Sequence, residues 1–287
     1  MFKQYIRRSL LFIPGNKPQM HFKAASLGAD AVIFDLEDSI NPSEKDEARQ
    51  MVINALAAVS FSCTEVIVRI NNPNTEAGLK DIYSIAPMRP QAFMIPKACE
   101  KSMAAADKIL SEIEKQEEIP VGEIKLFALI ETAYGVENIY SVIKSASRVT
   151  GVLFGAEDFT SDMQISRTES GDEIFYARSR VAICCRACGV DAIDTPYTDV
   201  KNMAGLVMDT RKARSLGMTG KSAIHPCQIE CIHHEFKPSE EEVRYAERVI
   251  EAFSKTNNTG GVFLLDGKMI DAPIVKRAER VMHLSGS

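Results

Sequence analysis

The sequence predicts a closed (β/α)8 barrel followed by a C-terminal helical and hairpin arm, and three observations predict it. Eight short apolar runs alternate with longer amphipathic stretches between residues 9 and 225. Composition does not break anywhere along that stretch, which favours one closed sheet over two separate domains. Seven of the eight runs are followed at once by an ionisable residue, and the C-terminal ends of barrel strands are where such folds gather their chemistry. Periodicity alone does not count closure, so an open doubly wound sheet stays the alternative.

Taken in order, the strands are expected at 9–13, 31–36, 66–70, 92–96, 126–130, 151–155, 192–195 and 222–225. Helical patterns lie between them, around 17–28, 43–59, 76–86, 100–118, 134–148, 172–189 and 200–217. Several carry start signals, such as Pro42-Ser43 ahead of Glu44 and Asp46. A short helix near 227–235 closes the barrel, which gives a boundary of 1–235 for the barrel and 236–287 for the arm. The arm opens with Pro238-Ser239 and three glutamates, a capping pattern with acids in the first turn. It continues through the loop Asn257–Gly261, the hairpin GVFLLDGKMID with its tight-turn pair Asp266-Gly267, and a last helix from Ala272.

Bulk properties exclude several functional classes. The 287 residues are 45% hydrophobic and 25% charged with a net charge of −5, an ordinary globular balance with no basic field for nucleic acid or an anionic membrane. No apolar run approaches the roughly 18 residues that a membrane span needs. The basic, then apolar N-terminus MFKQYIRRSLLFIPG has too short an apolar stretch for a secretion signal and is read as the first strand, with a cytoplasmic address. Seven scattered cysteines point to reduced thiols, and Cys184-Cys185-Arg186-Ala187-Cys188 is read as small buried hydrophobes within a helix.

The strand ends carry Pro14-Gly15, Asp35-Leu36-Glu37-Asp38, Arg69, Lys97, Glu131, Gly155-Ala156-Glu157-Asp158, Asp194 and His225. Singly, each is explained by a helix cap or a rim ion pair; together they converge on one mouth in which acids outnumber cations. A hard divalent cation balances such a set, Mg²⁺ in the first place with Mn²⁺ as the alternative, held by Glu131 and Asp158 on adjacent strands with open positions for substrate. Histidine or cysteine ligands that would suit zinc are not grouped there. There is no dinucleotide glycine fingerprint, no phosphate loop, and no lysine at the sixth strand end for a Schiff base. Lys97 is weighed as an anion contact against a structural role. Period-2 alternation turns Asp35 and Glu37 the same way, toward Arg69 and a metal's waters, and Asp38 elsewhere, to cap the next helix or a loop. His225 can equally be a strand-end core histidine held by Pro226, and His233-His234 is expected to be solvated.

These residues sit within motifs that resemble a known family. RRSLLFIPGNKPQM, ADAVIFDLEDSI, VIVRIN, MIPKA, LIETAYGVENI, GAEDFTSDM, YARSRVAICCRACGVDAIDTPYTDV, GKSAIHPCQIECI and GKMIDAP occur in that order over residues 7–285. The chain resembles the citrate lyase β-subunit-like family, relatives of citramalyl-CoA and malyl-CoA lyases within the HpcH/HpaI aldolase superfamily. The resemblance implies a TIM barrel of the phosphoenolpyruvate/pyruvate type, Mg²⁺ dependence, a homotrimer, and cleavage or formation of the bond between an acetyl thioester and a 2-oxo acid. It makes Glu131 and Asp158 the metal ligands, Arg69 a substrate contact, and Phe12, Lys23, Ile224 and His225 contacts to the acyl thioester. It makes Asp271 an acid supplied to a neighbouring subunit's site. Gln19 departs from the pattern, standing where some relatives place a lysine for the carrier's phosphates.

The chemistry so implied is a retro-Claisen cleavage of a citryl, citramalyl or malyl thioester, presented by coenzyme A or an acyl carrier protein, to an acetyl thioester and oxaloacetate, pyruvate or glyoxylate. In that reaction Arg69 suits the developing enolate oxyanion and Asp271 the proton relay to carbon. Three alternatives stand beside it: a β subunit working inside a citrate lyase assembly, a class II aldolase acting on free 2-oxo acids, and a catalytically silent binding protein, against which the intact set Arg69, Glu131, Asp158 and Asp271 argues.

Overall fold

The computed structural model describes residues 5–255 and 262–285. Eight parallel strands follow one another around a ring: β1 (Ser9–Pro14), β2 (Ala31–Asp35), β3 (Glu65–Arg69), β4 (Ala92–Ile95), β5 (Lys125–Ile130), β6 (Val149–Phe154), β7 (Asp191–Asp194) and β8 (Gly220–Ala223). Each pairs with the next, and β8 returns to β1 through the register Ser9↔Lys221, Leu10↔Ser222 and Leu11↔Ala223. That last pairing removes the open-sheet alternative: the sheet is a closed (β/α)8 barrel.

The interior is filled by one parity of strands β1 to β7. Leu10, Ile33, Ile67, Met94, Phe127, Leu129, Leu153 and Ile193 form a continuous buried cluster. The intervening residues, such as Leu11, Val32 and Val68, are as fully buried as these, under the surrounding helices. Inside, large and small residues alternate. A side chain on Gly151 would start 2.3 Å from the Phe127 ring, so that glycine is the space the phenyl group occupies. Below this cluster Arg7 seals the strand N-termini, pairing with Glu65 (2.7 Å) and Asp191 (2.8 Å) and stacking its guanidinium 4.9 Å over Phe127.

The helices are α1 (Pro18–Ala24), α2 (Lys45–Ala58), α3 (Glu76–Ile85), α4 (Glu100–Gln116), α5 (Ala133–Glu137), α6 (Ile139–Lys144), α7 (Ala156–Asp162), α8 (Phe175–Cys188), α9 (Met203–Ser215) and α10 (Gln228–Phe236). Two depart from the expected pattern. The single helix expected at 134–148 is interrupted at Asn138, whose side chain and backbone N–H both donate to the Tyr134 carbonyl (2.9 and 3.1 Å). Helix α7 was not anticipated, because its sequence reads as the end of a strand. Within α8, Cys184 and Cys185 are buried among apolar neighbours, and burial pushes the Cys185 thiol well up. His233, expected to be solvated, is instead half-buried on α10, where Nε2 meets Ser9 Oγ at 2.7 Å; His234 is exposed.

The chain forms two compact units, Met1–His233 and His234–Ser287. The second contains α11 (Glu240–Lys255), β9 (Phe263–Leu265), β10 (Lys268–Ile270) and α12 (Ala272–Ser285). Ser239 and Glu242 form a reciprocal capping box at the start of α11, at 3.1 and 2.7 Å. Asp266 and Gly267 turn the hairpin with positive φ at both positions (51° and 73°), the geometry of a two-residue turn whose twist suits the strands. Ala246, Val249, Ile270, Val275 and Ala278 give this unit its own small core. The Asn257–Gly261 loop lies outside the described residues. Among the described residues no helix is long and apolar enough to cross a membrane.

Candidate active site

The parity that packs the barrel also builds its mouth. One inward step beyond Leu10, Ile33, Ile67, Leu129, Leu153 and Ile193 come Phe12, Asp35, Arg69, Glu131, Gly155 and Thr195. All six, with Ile224, line a cavity of about 430 Å³ at the C-terminal ends of the strands. Its floor is apolar, formed by Leu129 and Leu153, and its wall is charged.

Arg69 stands at the centre of that wall. Its Nε and Nη2 donate to the two oxygens of Asp35, each at 2.7 Å, so the guanidinium fork is committed to one carboxylate. Nη1, on the remaining donor edge, lies 3.2 Å from Glu37 and 3.2 Å from Asp38. Asp38 therefore does not face elsewhere. Strand β2 ends at Asp35, whose carboxylate accepts from the backbone N–H of Glu37 (2.9 Å) and Ser39 (3.1 Å). The chain turns there, and alternation no longer governs the two acids that follow. The Arg69 guanidinium also lies 5.2 Å from the Phe12 ring centroid, which closes its other face.

One cation among three acids leaves a surplus of negative charge. Burial of Asp35 opposes its ionisation, but Arg69 outweighs burial and holds the carboxyl below its usual range. Glu37 receives less of that charge. Burial, together with the neighbouring Asp38 and Asp35, pushes it up to about 7 against the pull of Arg69.

Glu131 is the second focus. It is 2% exposed and accepts one hydrogen bond, from the backbone N–H of Lys97 (2.8 Å). Burial first, and then the charges of Asp158 and Glu37, push its carboxyl up to about 8. Gly155 makes room for it: a side chain there would begin 2.8 Å from Glu131 Cβ and 2.9 Å from Oε2. Asp158 lies in the first turn of α7 and lines the same cavity; its Oδ1 is 3.8 Å from the Lys97 ammonium. Lys97 reaches both acids from a left-handed backbone (φ 43°), an arrangement that a non-glycine residue adopts at a cost of about 1–3 kcal/mol. Among the described residues no three His, Cys, Asp or Glu side chains form a ready ligand cluster. The Glu131 and Asp158 pair would thus leave most positions of a cation to water or substrate, the habit of Mg²⁺. A buried carboxylate lacking a counter-charge, in a cradle that glycine keeps open, fits that ion.

Other residues singled out in the sequence fall differently. Asp194 does not point into the mouth. Its neighbour Ile193 takes the inward position, and Asp194 is fully buried on the helix side of β7, paired with Arg178 (2.8 Å) and Lys221 (2.6 Å). His225 is exposed, not a core histidine, and its Nδ1 meets Cys227 Sγ at 2.9 Å; Ile224, one residue earlier, takes the place on the cavity wall. Lys23 is exposed on α1, outside the cavity lining. Asp271, in the second unit, caps α12 by accepting from the Ile274 N–H at 3.2 Å. Thr195 and α7 itself escaped the sequence reading; counting parity on from Ile193 finds the first. A second cavity, about 510 Å³, opens at the opposite end of the barrel around Arg7, Arg89 and Lys125. There Arg7 is matched by Glu65 and Asp191, and the strand N-termini are not where barrels place chemistry.

Comparison with known proteins bears on the fold and the family. Citrate lyase subunit beta of Leuconostoc mesenteroides subsp. cremoris is 36% identical over 289 residues, spanning 100% of this chain and 96% of that protein. Human mitochondrial citramalyl-CoA lyase is 32% identical over 295 residues, spanning 98% of this chain and 86% of that protein. Among solved structures, CitE of Mycobacterium tuberculosis in complex with magnesium, acetoacetate and coenzyme A superposes with a TM-score of 0.82 at 28% identity, covering 98% of each chain. The family model described as HpcH/HpaI aldolase/citrate lyase matches residues 8–226, nearly the whole barrel, and this chain belongs to that family.

Proposed function

We propose that this protein is a Mg²⁺-dependent carbon–carbon lyase that splits a citryl, citramalyl or malyl thioester into an acetyl thioester and a 2-oxo acid. The observation that carries the reading is the acid pair Glu131 and Asp158, in which Glu131 is buried with only a backbone N–H for a partner and Asp158 meets only the half-exposed Lys97, lining one cavity with the Arg69 guanidinium above an apolar floor. Relatives named as citrate lyase β subunits and citramalyl-CoA lyases, and a solved relative holding magnesium, acetoacetate and coenzyme A, support the same chemistry.

Glu131 and Asp158 are the residues that would hold the cation, with Mn²⁺ as a substitute. Bound there, the metal supplies Lewis acidity to the hydroxyl and carboxylate of the 2-hydroxy acid unit. The chain's own residues do the rest. As the bond to the thioester α-carbon breaks, charge develops on the thioester oxygen, and Arg69 meets it through the edge formed by Nη1 and the second Nη2 hydrogen, since Asp35 holds Nε–H and the first Nη2 hydrogen. Asp35 thereby fixes the plane of the guanidinium before substrate arrives. Leu129, Leu153 and Phe12 keep water from the nascent enolate. The hydroxyl loses one proton and the α-carbon gains one, so the reaction consumes none overall. We assign the delivery of the second to Asp271 from a neighbouring copy, with residues 236–287 as the arm that reaches it, Lys23, Ile224 and His225 as contacts to the thioester carrier, and the assembly as a homotrimer. Family resemblance supports these assignments. Seven free cysteines support a cytoplasmic address.

The test is direct. Purified protein is incubated with Mg²⁺ and citryl, citramalyl and malyl thioesters, each carried by coenzyme A and by an acyl carrier protein, and acetyl thioester release is followed. At least one substrate should turn over, chelator should stop the reaction, Mg²⁺ should restore it, and Glu131→Ala should abolish it. Full turnover by Glu131→Ala would sink the assignment.

A further inference from the structure

Behind β7 and β8 lies an ionic cluster that the mouth chemistry does not use. Arg178, Asp194 and Lys221 are each 0% exposed. Arg178 donates to Asp194 (2.8 and 3.0 Å) and to Asp209 (2.7 Å), and Lys221 donates to the same two carboxylates, at 2.6 Å each. Two cations and two anions leave this cluster balanced. A bond runs from it toward the mouth: Lys221 Nζ also donates to the carbonyl oxygen of Thr195, at 2.7 Å. Lys221 therefore fixes the backbone just where β7 enters the mouth.

Thr195 then reaches across to the next strand. Its Oγ1 accepts from the backbone N–H of Ala156, at 3.1 Å, and both residues are buried. Ala156 is the first residue of α7, and the first amides of a helix have no partner within it. A helix ordinarily meets that need with a Ser, Thr, Asp or Asn at its own N-cap. Here the N-cap is Gly155, which has no side chain to offer, and no larger residue fits because Glu131 fills the space. The cap must come from elsewhere in the fold, and the hydroxyl of Thr195 supplies it.

Two residues further on, the first turn of α7 carries Asp158. We infer that Thr195, held in place by Lys221, is a positioning residue for Asp158: it caps α7 from the neighbouring strand and so sets where that carboxylate stands relative to Glu131. The inference rests on the proposed cation site, and it adds a device by which the glycine required beside one ligand is compensated at the helix carrying the other.

Thr195→Val keeps the shape and removes the acceptor. Mn²⁺ affinity is measured by electron paramagnetic resonance, and amide hydrogen exchange is measured over residues 154–162. The Val variant should bind Mn²⁺ about 10–100-fold more weakly, the usual loss when a group supporting a ligand is removed, and should exchange faster at Ala156. Thr195→Ser should restore both, and Thr195→Ala should match Val. Thr210→Val, which deletes another buried hydroxyl bonded at 2.7 Å to the Leu206 carbonyl, should change neither. Wild-type Mn²⁺ affinity and unchanged exchange in Thr195→Val overturn the inference, as does failure of serine to rescue. If the wild-type protein binds no Mn²⁺, the cation reading fails, and exchange alone decides: unchanged protection at Ala156 overturns the cap, and faster exchange that serine reverses upholds it.

Discussion

Two arginine-centred ion clusters are built on the same barrel, and they differ in parity and in balance. Arg69 occupies an inward position, and its cluster, with Asp35, Glu37 and Asp38, opens on the cavity with one cation among three acids. Arg178 meets β7 from the helix side, and its cluster with Asp194, Asp209 and Lys221 lies behind the strands, two charges against two. The acids record the difference. At Asp209 burial opposes ionisation, yet Lys221 and Arg178 outweigh it and hold the carboxyl below its usual range. At Glu37 and Glu131 burial wins, and they are pushed up to about 7 and about 8. A fold that can balance four charges in its interior cluster, three of them fully buried, has left one mouth unbalanced, and the shortfall marks where a cation belongs.

The largest effect separating the clusters is on stability. Lys221→Met leaves Asp194 and Asp209 sharing Arg178 alone, with Asp194 and Arg178 both fully buried. Breaking one side of a buried pair costs about 3–5 kcal/mol. Denaturant unfolding should show the midpoint falling accordingly with an unchanged slope; a loss near zero would mean that water screens the interior cluster.

Next comes Arg69→Lys, a substitution that keeps the charge and removes the fork. Lysine cannot span both Asp35 oxygens and still offer a donor to the cavity. Loss of one preorganised oxyanion partner typically lowers turnover about 10²–10³-fold. The kcat for acetyl thioester release should fall on that scale, with a smaller loss of stability than Lys221→Met. A variant turning over at the wild-type rate would show that the mouth arginine is no more than a rim pair.

Much of this was legible in the sequence because parity is local. Apolar runs ending in Asp35, Arg69 and Glu131 place those residues one inward step beyond the core, and the period of two carries the argument that far. It fails where the chain leaves the strand. Asp38 turns back on Arg69 because the turn after β2 is set by side-chain bonds to Asp35, which no period describes. Asp194 was placed at the mouth because it ends an apolar run, although Ile193 holds the inward position and parity already excluded it. Helix α7 was hidden for a different reason: its cap lies on another strand, at Thr195, so no local start signal exists at Gly155.

Two acids, Asp209 in the interior and Glu131 in the mouth, have opposite pH signatures. Asp209 is held below its usual range, so its stabilisation is present at neutral pH and is lost only as pH falls through the acid range. Glu131 is raised from 4.5 to about 8, so the folded protein retains a proton that the unfolded chain gives up, and stability without metal falls as pH rises toward and through 8. His21 and His233, both lowered by burial, act below about 6.5 and in the opposite sense, so the window from 6.5 to 8.5 isolates the mouth. Thermal melts in chelator should decline across that window, and Glu131→Gln should flatten the decline. Mg²⁺ should raise the melting temperature more at pH 8 than at pH 6.5. Equal shifts at both would break the link between the acid surplus and the cation.

The smallest effect is the sharpest test of the comparison. Asp38→Asn removes an acid from the mouth cluster as Asp194→Asn removes one from the interior cluster. The Asp38 side chain is 51% exposed and its contact to Arg69 is 3.2 Å, so water replaces much of what the pair supplies. An exposed pair of this kind contributes about 0–1 kcal/mol. Removing it also relieves Glu37, which Asp38 pushes toward the neutral form. The two consequences oppose one another, and the unfolding midpoint of Asp38→Asn should stay within about 1 kcal/mol of wild type, while Asp194→Asn should lose several times that. Equal losses would mean that Asp38 is as necessary to its arginine as Asp194 is to Arg178. The surplus of acid at the mouth would then be a structural requirement, and the argument from imbalance to a cation would lose its premise.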